Sequence, residues 1–165
     1  MPSDKYCYAN GACYARLGKE MREYFYEEGR PKTIEPYSEG VLHGEVLLYW
    51  PNGTLKRKCS FHHHLRHGLD QIWNEQGILV DEGTYERGKP TGAHRRWNDQ
   101  GRLIEEISYL DEQRFDFRQW DEQGNLRTEA LWEGGVIYRE RSWDRFQNIW
   151  IEKEGRFDGK KICYV

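Results

Sequence analysis

The residues with the most evident capacity for chemistry are imidazoles. Of six histidines, five stand at His43, His62, His63, His64 and His67. Histidine is a common metal ligand and titrates near neutral pH. A metal centre also needs ligands that converge with a set geometry. On an extended strand His62 and His64 would point the same way. His43 and His67 hold equivalent places in a repeat and could be neighbours. Both of these are turn-type residues, in His43-Gly44 and His67-Gly68, and the others sit beside a hairpin bend. The spacing therefore reads as solvated turn residues, with no metal and no cofactor expected. Cys7 and Cys13 do not have zinc-knuckle spacing and lack a second pair nearby. No Ser/His/Asp elbow, phosphate loop, HExxH or dinucleotide fingerprint occurs. No catalytic residues are assigned, and a non-enzymatic protein is expected.

The elements that must position these residues come from a repeat. Take Tyr26, Trp50, Trp73, Trp97, Trp120 and Trp143 as markers. Their spacing is about 23 residues, the order of period expected of repeat architectures. A Gly-containing turn signal follows most markers: Glu28-Gly29, Asn52-Gly53, Gln76-Gly77, Gln100-Gly101, Gln123-Gly124. Then comes an aliphatic residue (Leu55, Leu79, Leu103, Leu126, Ile149) and, six residues on, an aromatic: Phe61, Tyr85, Tyr109, Trp132. A small pair ends several units: His43-Gly44, His67-Gly68, Thr91-Gly92. Two alternating runs between Gly-rich turns form a β-hairpin signature. The fold expected is all-β: an elongated, twisted antiparallel hairpin-repeat meander of about six units. Residues 21–165 form the repeat domain. Residues 1–20 form an N-terminal cap or irregular segment, with a short helix open for 15–23.

Composition agrees with a thin aromatic core. Trp and Tyr contribute 7 and 11 residues, and the net charge is only −3. Large aromatics dominate burial energetics. The near-neutral balance gives no reason to expect nucleic-acid binding, and Lys56-Arg57-Lys58 is a short basic run for a membrane surface. No apolar run long enough to span a bilayer occurs. The start lacks the pattern of an export signal. The expected location is cytoplasmic, with Cys7, Cys13, Cys59 and Cys163 reduced.

Side chains on a strand alternate between faces. The marker, the aliphatic and the later aromatic share one parity and are expected to line one face. Glu82, Glu106, Glu129 and Glu152 have the other parity. If each Trp pairs with the aliphatic six residues on, the residues facing these glutamates are Asp70, His94, Phe117 and Glu140. Arg95 then faces Glu105. The expectation is an acidic strip of Asp70, Glu82, Glu106, Glu129, Glu140 and Glu152, with Phe117, Tyr138 and Trp150 among it. Such a strip suits a basic partner; the bland alternative is an ordinary solvated face.

Tyr26-x-x-Gly29, Tyr37-x-x-Gly40-x-x-His43-Gly44 and Trp50-Pro-Asn-Gly53-x-Leu55 resemble the MORN-repeat-variant family of bacteria, which includes the YwqK-type antitoxins. The resemblance extends by repeat phase over residues 21–160. It implies a β-hairpin array that binds partners, and, in its antitoxin members, neutralisation of a cognate toxin. The function expected is an immunity or antitoxin protein binding a protein toxin, with a nuclease among the targets. The alternative is a scaffold or membrane-associated interaction module.

Overall fold

The computed structural model describes residues 4–111, 114–133, 137–157 and 162–164, the side chains of residues 137, 138, 156, 157 and 162–164 excepted. Sixteen strands and no helix occur among these residues. They are β1 Asp4–Cys7, β2 Cys13–Leu17, β3 Met21–Phe25, β4 Pro31–Ser38, β5 Val41–Leu42, β6 Gly44–Tyr49, β7 Leu55–His62, β8 Leu65–Trp73 and β9 Leu79–Glu86. There follow β10 Lys89–Trp97, β11 Leu103–Tyr109, β12 Arg114–Trp120, β13 Leu126–Glu133, β14 Ile137–Asp144, β15 Ile149–Phe157 and β16 Ile162–Tyr164. The chain divides into two compact units, Met1–Lys89 and Pro90–Val165. In each, strands pair antiparallel in chain order, and β5 makes a side pairing with β4 in the first.

Three strands, β1 to β3, occupy most of residues 4–25 as well. Cys7 pairs with Cys13 across a turn in which Tyr8 N donates to Ala12 O and Gly11 N to Tyr8 O. The same two bonds recur at Tyr26/Gly29, Trp50/Gly53, Asn74/Gly77, Asn98/Gly101 and Asp121/Gly124. Neither a helix nor an irregular cap forms over 15–23: that stretch is the end of β2, a turn and most of β3. The hairpin pattern therefore begins ahead of residue 21.

One local device resets the expected faces. The pairing of marker with aliphatic is present: Trp73 faces Leu79, Trp97 faces Leu103 and Trp120 faces Leu126. Immediately before each marker the register slips by one residue, a β-bulge. The same slip precedes Phe25 and Tyr49, which face Pro31 and Leu55. The markers of the early repeats are thus Phe25 and Tyr49, not Tyr26 and Trp50. Tyr26 and Trp50 are the first turn residues. Each reaches forward one repeat: Tyr26 Oη donates to Tyr49 O at 2.8 Å, and Trp50 Nε1 to Trp73 O at 2.9 Å.

The bulge breaks simple alternation around the hairpin, so the marker changes sides. Arg16, which pairs with Glu23, lies over the Phe25 ring at 4.8 Å. Arg141, which pairs with Glu152, lies over Trp150 at 4.7 Å, and Trp150 faces Trp143 with centroids 5.6 Å apart. Markers and glutamates therefore share a face. The later aromatics Tyr109, Phe115 and Trp132 form a cross-strand row on the opposite one. Gly44, Gly68 and Gly92 face Phe61, Tyr85 and Tyr109, and all three have positive φ. A Cβ on Gly44 would come within 3.0 Å of the Pro36 ring. Burial is shallow: Ala15, Phe25, Val46 and Cys59 form the buried apolar set. Trp97 is half-buried, as is Trp150.

Candidate functional site

The observed register changes the partner of every glutamate in the expected strip: the one-residue slip does so before Trp73, Trp97 and Trp120, and in the last hairpin Trp143 faces Trp150, not Ile149, with no slip. Glu82 faces Gln71, not Asp70. Glu106 faces Arg95 on one side and Arg118 on the other; Arg96, not Arg95, faces Glu105. Glu129 lies between Arg118 and Arg141, and Glu152 faces Arg141. Cross-strand partners stand on the same face of a sheet. The second unit therefore carries a row that alternates in sign across six strands: Arg95, Glu106, Arg118, Glu129, Arg141, Glu152. Arg95 Nε is 2.7 Å from Glu106 Oε2, Arg118 Nη1 is 3.4 Å from Glu106 Oε1, and Arg141 Nε is 2.8 Å from Glu129 Oε1. In the first unit Gln71 Nε2 donates to Glu82 Oε2 at 2.8 Å.

The expected strip is accordingly split. Glu82 stands in the first unit; in the second, Glu106, Glu129 and Glu152 hold one face. Phe117 and Glu140 hold the other, both facing Ala130. The backbone of Tyr138 pairs with Trp132 and Gly155, and its side chain lies outside the described residues. Asp70 is not a surface acid. It is 6% exposed and receives two bonds from Arg57, at 2.9 and 2.6 Å, with Arg66 at 3.5 Å. Arg66 in turn stacks on Tyr85 at 3.8 Å. Beside this cluster the thiol of Cys59 is pushed above its ordinary pKa, first by burial, against the lowering effect of Arg57.

A groove opens on the ladder face of the second unit. It is lined by Arg118, Glu129, Arg141 and Glu152, by the adjacent row Asp116, Leu131, Arg139 and Glu154, and by the residues between them on each strand. Arg139 Nε approaches Glu154 Oε1 at 3.4 Å. Arginines and carboxylates interleave here, so the groove presents a pattern of both signs rather than a negative field. The arginines had a sequence signal: Arg95, Arg118 and Arg141 each stand two residues before a marker Trp, as Gln71 does before Trp73.

The histidines assemble differently from the strand reading. His63 and His64 are the two central residues of the β7–β8 turn, with φ of 48° and 65°. The equivalent turns use Glu39-Gly40 and Arg87-Gly88. Such turns need positive φ at both positions and favour Asn-Gly. His64 is drawn aside: its N donates to Leu42 O at 2.9 Å, and Leu42 N donates to its Nδ1 at 3.3 Å. His43, the next residue, comes to lie with His62 and His63, ring centroids 4.9 and 5.2 Å away. The His62 and His63 rings are 4.4 Å apart, and His67 is 5.7 Å from His62. His43 Nδ1 is buried without a hydrogen-bond partner, a situation costing about 1–3 kcal/mol. Desolvation, then His63, His43, His67 and Arg87, lower the His62 pKa below the ordinary imidazole value.

No curated protein matches the chain. Residues 42–63, from the strand before His43 through the first histidine of the β7–β8 turn, match the family described as MORN repeat variant.

Proposed function

We propose that the chain is a protein-binding repeat module whose role is immunity: it holds a cognate protein toxin and blocks it, in the cytoplasm. The carrying observation is the groove of the second unit, where ranked arginines and glutamates stand on a sheet face. MORN-type repeats are protein-interaction modules, and the matched repeat brings no catalytic residue set with it. Glu129 and Glu152 contact the partner from the ladder row, with Arg118 and Arg141 between them. Glu106 extends the same row, and Glu82 is a separate contact in the first unit. Phe117, Glu140 and Tyr138 serve as a secondary contact set. Asp70 has no place in this reading, because its carboxylate is committed to Arg57 and Arg66. The partner surface that fits is itself of mixed charge, set at the strand spacing of about 4.8 Å.

The test is co-expression with the product of the neighbouring gene. Restored growth of cells carrying an otherwise toxic neighbour, and co-purification of the two chains, is the expected result. Growth that stays arrested, with the two chains eluting separately, would sink the immunity reading. A stable complex with a harmless neighbour would favour the scaffold alternative, the reading to which the MORN-type match points by itself.

A further inference from the structure

We propose that His43, His62 and His63 form a binding site for a borderline transition-metal ion such as zinc, with a fourth position open to water or to His67. The site is separate from the groove and independent of the immunity reading. It staples the β7–β8 turn to the segment joining β5 and β6.

Four observations carry it. One ring nitrogen from each of the three histidines lies within 4.8 Å of the others. Tetrahedral ligation at about 2.1 Å separates nitrogens by about 3.4 Å. The three need therefore close by no more than about 1.4 Å around an ion, which rotation of the exposed His62 and His63 side chains supplies. Second, His43 Nδ1 is a buried nitrogen with no hydrogen-bond partner. Third, the geometry is held by backbone: His64 exchanges two hydrogen bonds with Leu42, which fixes the residue next to His43 against the turn. Fourth, the turn keeps two non-glycine residues at positive φ, where its counterparts end in glycine. Strained backbone persists where surrounding structure holds it and clusters at functional sites.

The ligand chemistry follows from the donors. Neutral imidazoles suit zinc, copper, nickel and iron, and the cluster as described holds no carboxylate to favour calcium or magnesium. Arg87 acts on His62, and its positive charge opposes a bound cation, setting affinity below that of an acidic site. Three protein ligands with one exchangeable position form an open site in the sense used for catalytic zinc. Here the metal's first consequence is a cross-link between successive hairpin turns.

Equilibrium dialysis of the full chain against zinc sulfate, after chelator treatment, decides the matter. One equivalent of zinc should bind and raise the melting temperature. His62→Ala combined with His63→Ala should weaken binding by at least about tenfold, since even outer-shell changes commonly cost that much. Both side chains are exposed, so circular dichroism should be unchanged. His94→Ala, at the one histidine outside the cluster, and Cys7→Ser with Cys13→Ser should bind zinc as the parent does. Cobalt(II) should give a visible absorption band that the double histidine variant lacks. Uptake below one equivalent, or uptake that survives the double histidine change, overturns the proposal. So does loss of uptake in the cysteine variant alone.

Discussion

Asp70 illustrates how one cross-strand neighbour decides what a carboxylate does. Its own strand gives no sign of burial, since His67 and Leu69 nearby are exposed. Arg57, facing Ile72, comes from the adjacent strand and bonds both carboxylate oxygens. Removing one member of a buried pair leaves the other uncompensated and costs about 3–5 kcal/mol. Arg57 keeps a third of its side chain in solvent, so the lower end applies. Asp70→Ala should destabilise the protein by about 3 kcal/mol in a denaturant titration, whereas Glu152→Ala, at an exposed position, should change it by less than about 0.5 kcal/mol. Equal effects would mean that Asp70 is as solvated as Glu152. Residue identities alone could not separate these two acids: an arginine faces the exposed Glu152, whereas Asp70 faces Cys59 and Gly83 and takes its bonds from Arg57, which faces the residue two along.

Secondary structure was legible at the scale of the element, and its faces were not. Alternating runs between Gly turns located the hairpins, and the marker-to-aliphatic pairing held at Trp73, Trp97 and Trp120. The bulge before Trp73, Trp97 and Trp120 carries no residue signature of its own here, yet it moves the partners of Glu82, Glu106 and Glu129 by one. That step turned Glu106 from a neighbour of His94 into a neighbour of Arg95. The same limit hid the histidine cluster. Periodicity places His62 and His64 on a strand, while the tight turn puts His63 and His64 at its tip. Turn chemistry also yields a prediction. Glu39 occupies the first central position of its turn with φ of 52°, ahead of Gly40 at 82°. Asn-Gly is the favoured pair at such turns. Glu39→Asn should therefore stabilise the protein by about 0.5 kcal/mol, seen as a small rise in denaturation midpoint with an unchanged slope. A fall would show that the Glu39 side chain makes a contact the turn depends on.

At the scale of the molecule, the alternating ladder changes what kind of recognition to expect. A row of unopposed glutamates would act over a Debye length of about 8–10 Å and speed the capture of a basic partner. In the ladder each glutamate stands beside an arginine a strand away, so the field cancels within that range. Recognition then depends on close matching of alternating charges, and association should respond only weakly to salt. A charge-swapped pair separates this from a purely structural role. Glu129→Arg with Arg141→Glu preserves the cross-strand pair that now spans 2.8 Å, and preserves net charge, but inverts the pattern in the groove. Each single change sets like charges side by side and should cost a few tenths to about 1 kcal/mol. The double swap restores the central pair but sets Arg118 beside an arginine and Glu152 beside a glutamate, so it should cost no more than either single change rather than the sum of the two. Partner binding should follow a different course. If the groove is the contact surface, the double swap is no less stable than either single variant and still weakens the complex by about tenfold or more, as interfacial charge reversal does. If the ladder only ties strands together, binding tracks stability across the four proteins. The comparison needs a denaturant titration and an affinity measurement on the same four proteins, and binding that follows stability throughout would remove the groove from the interface.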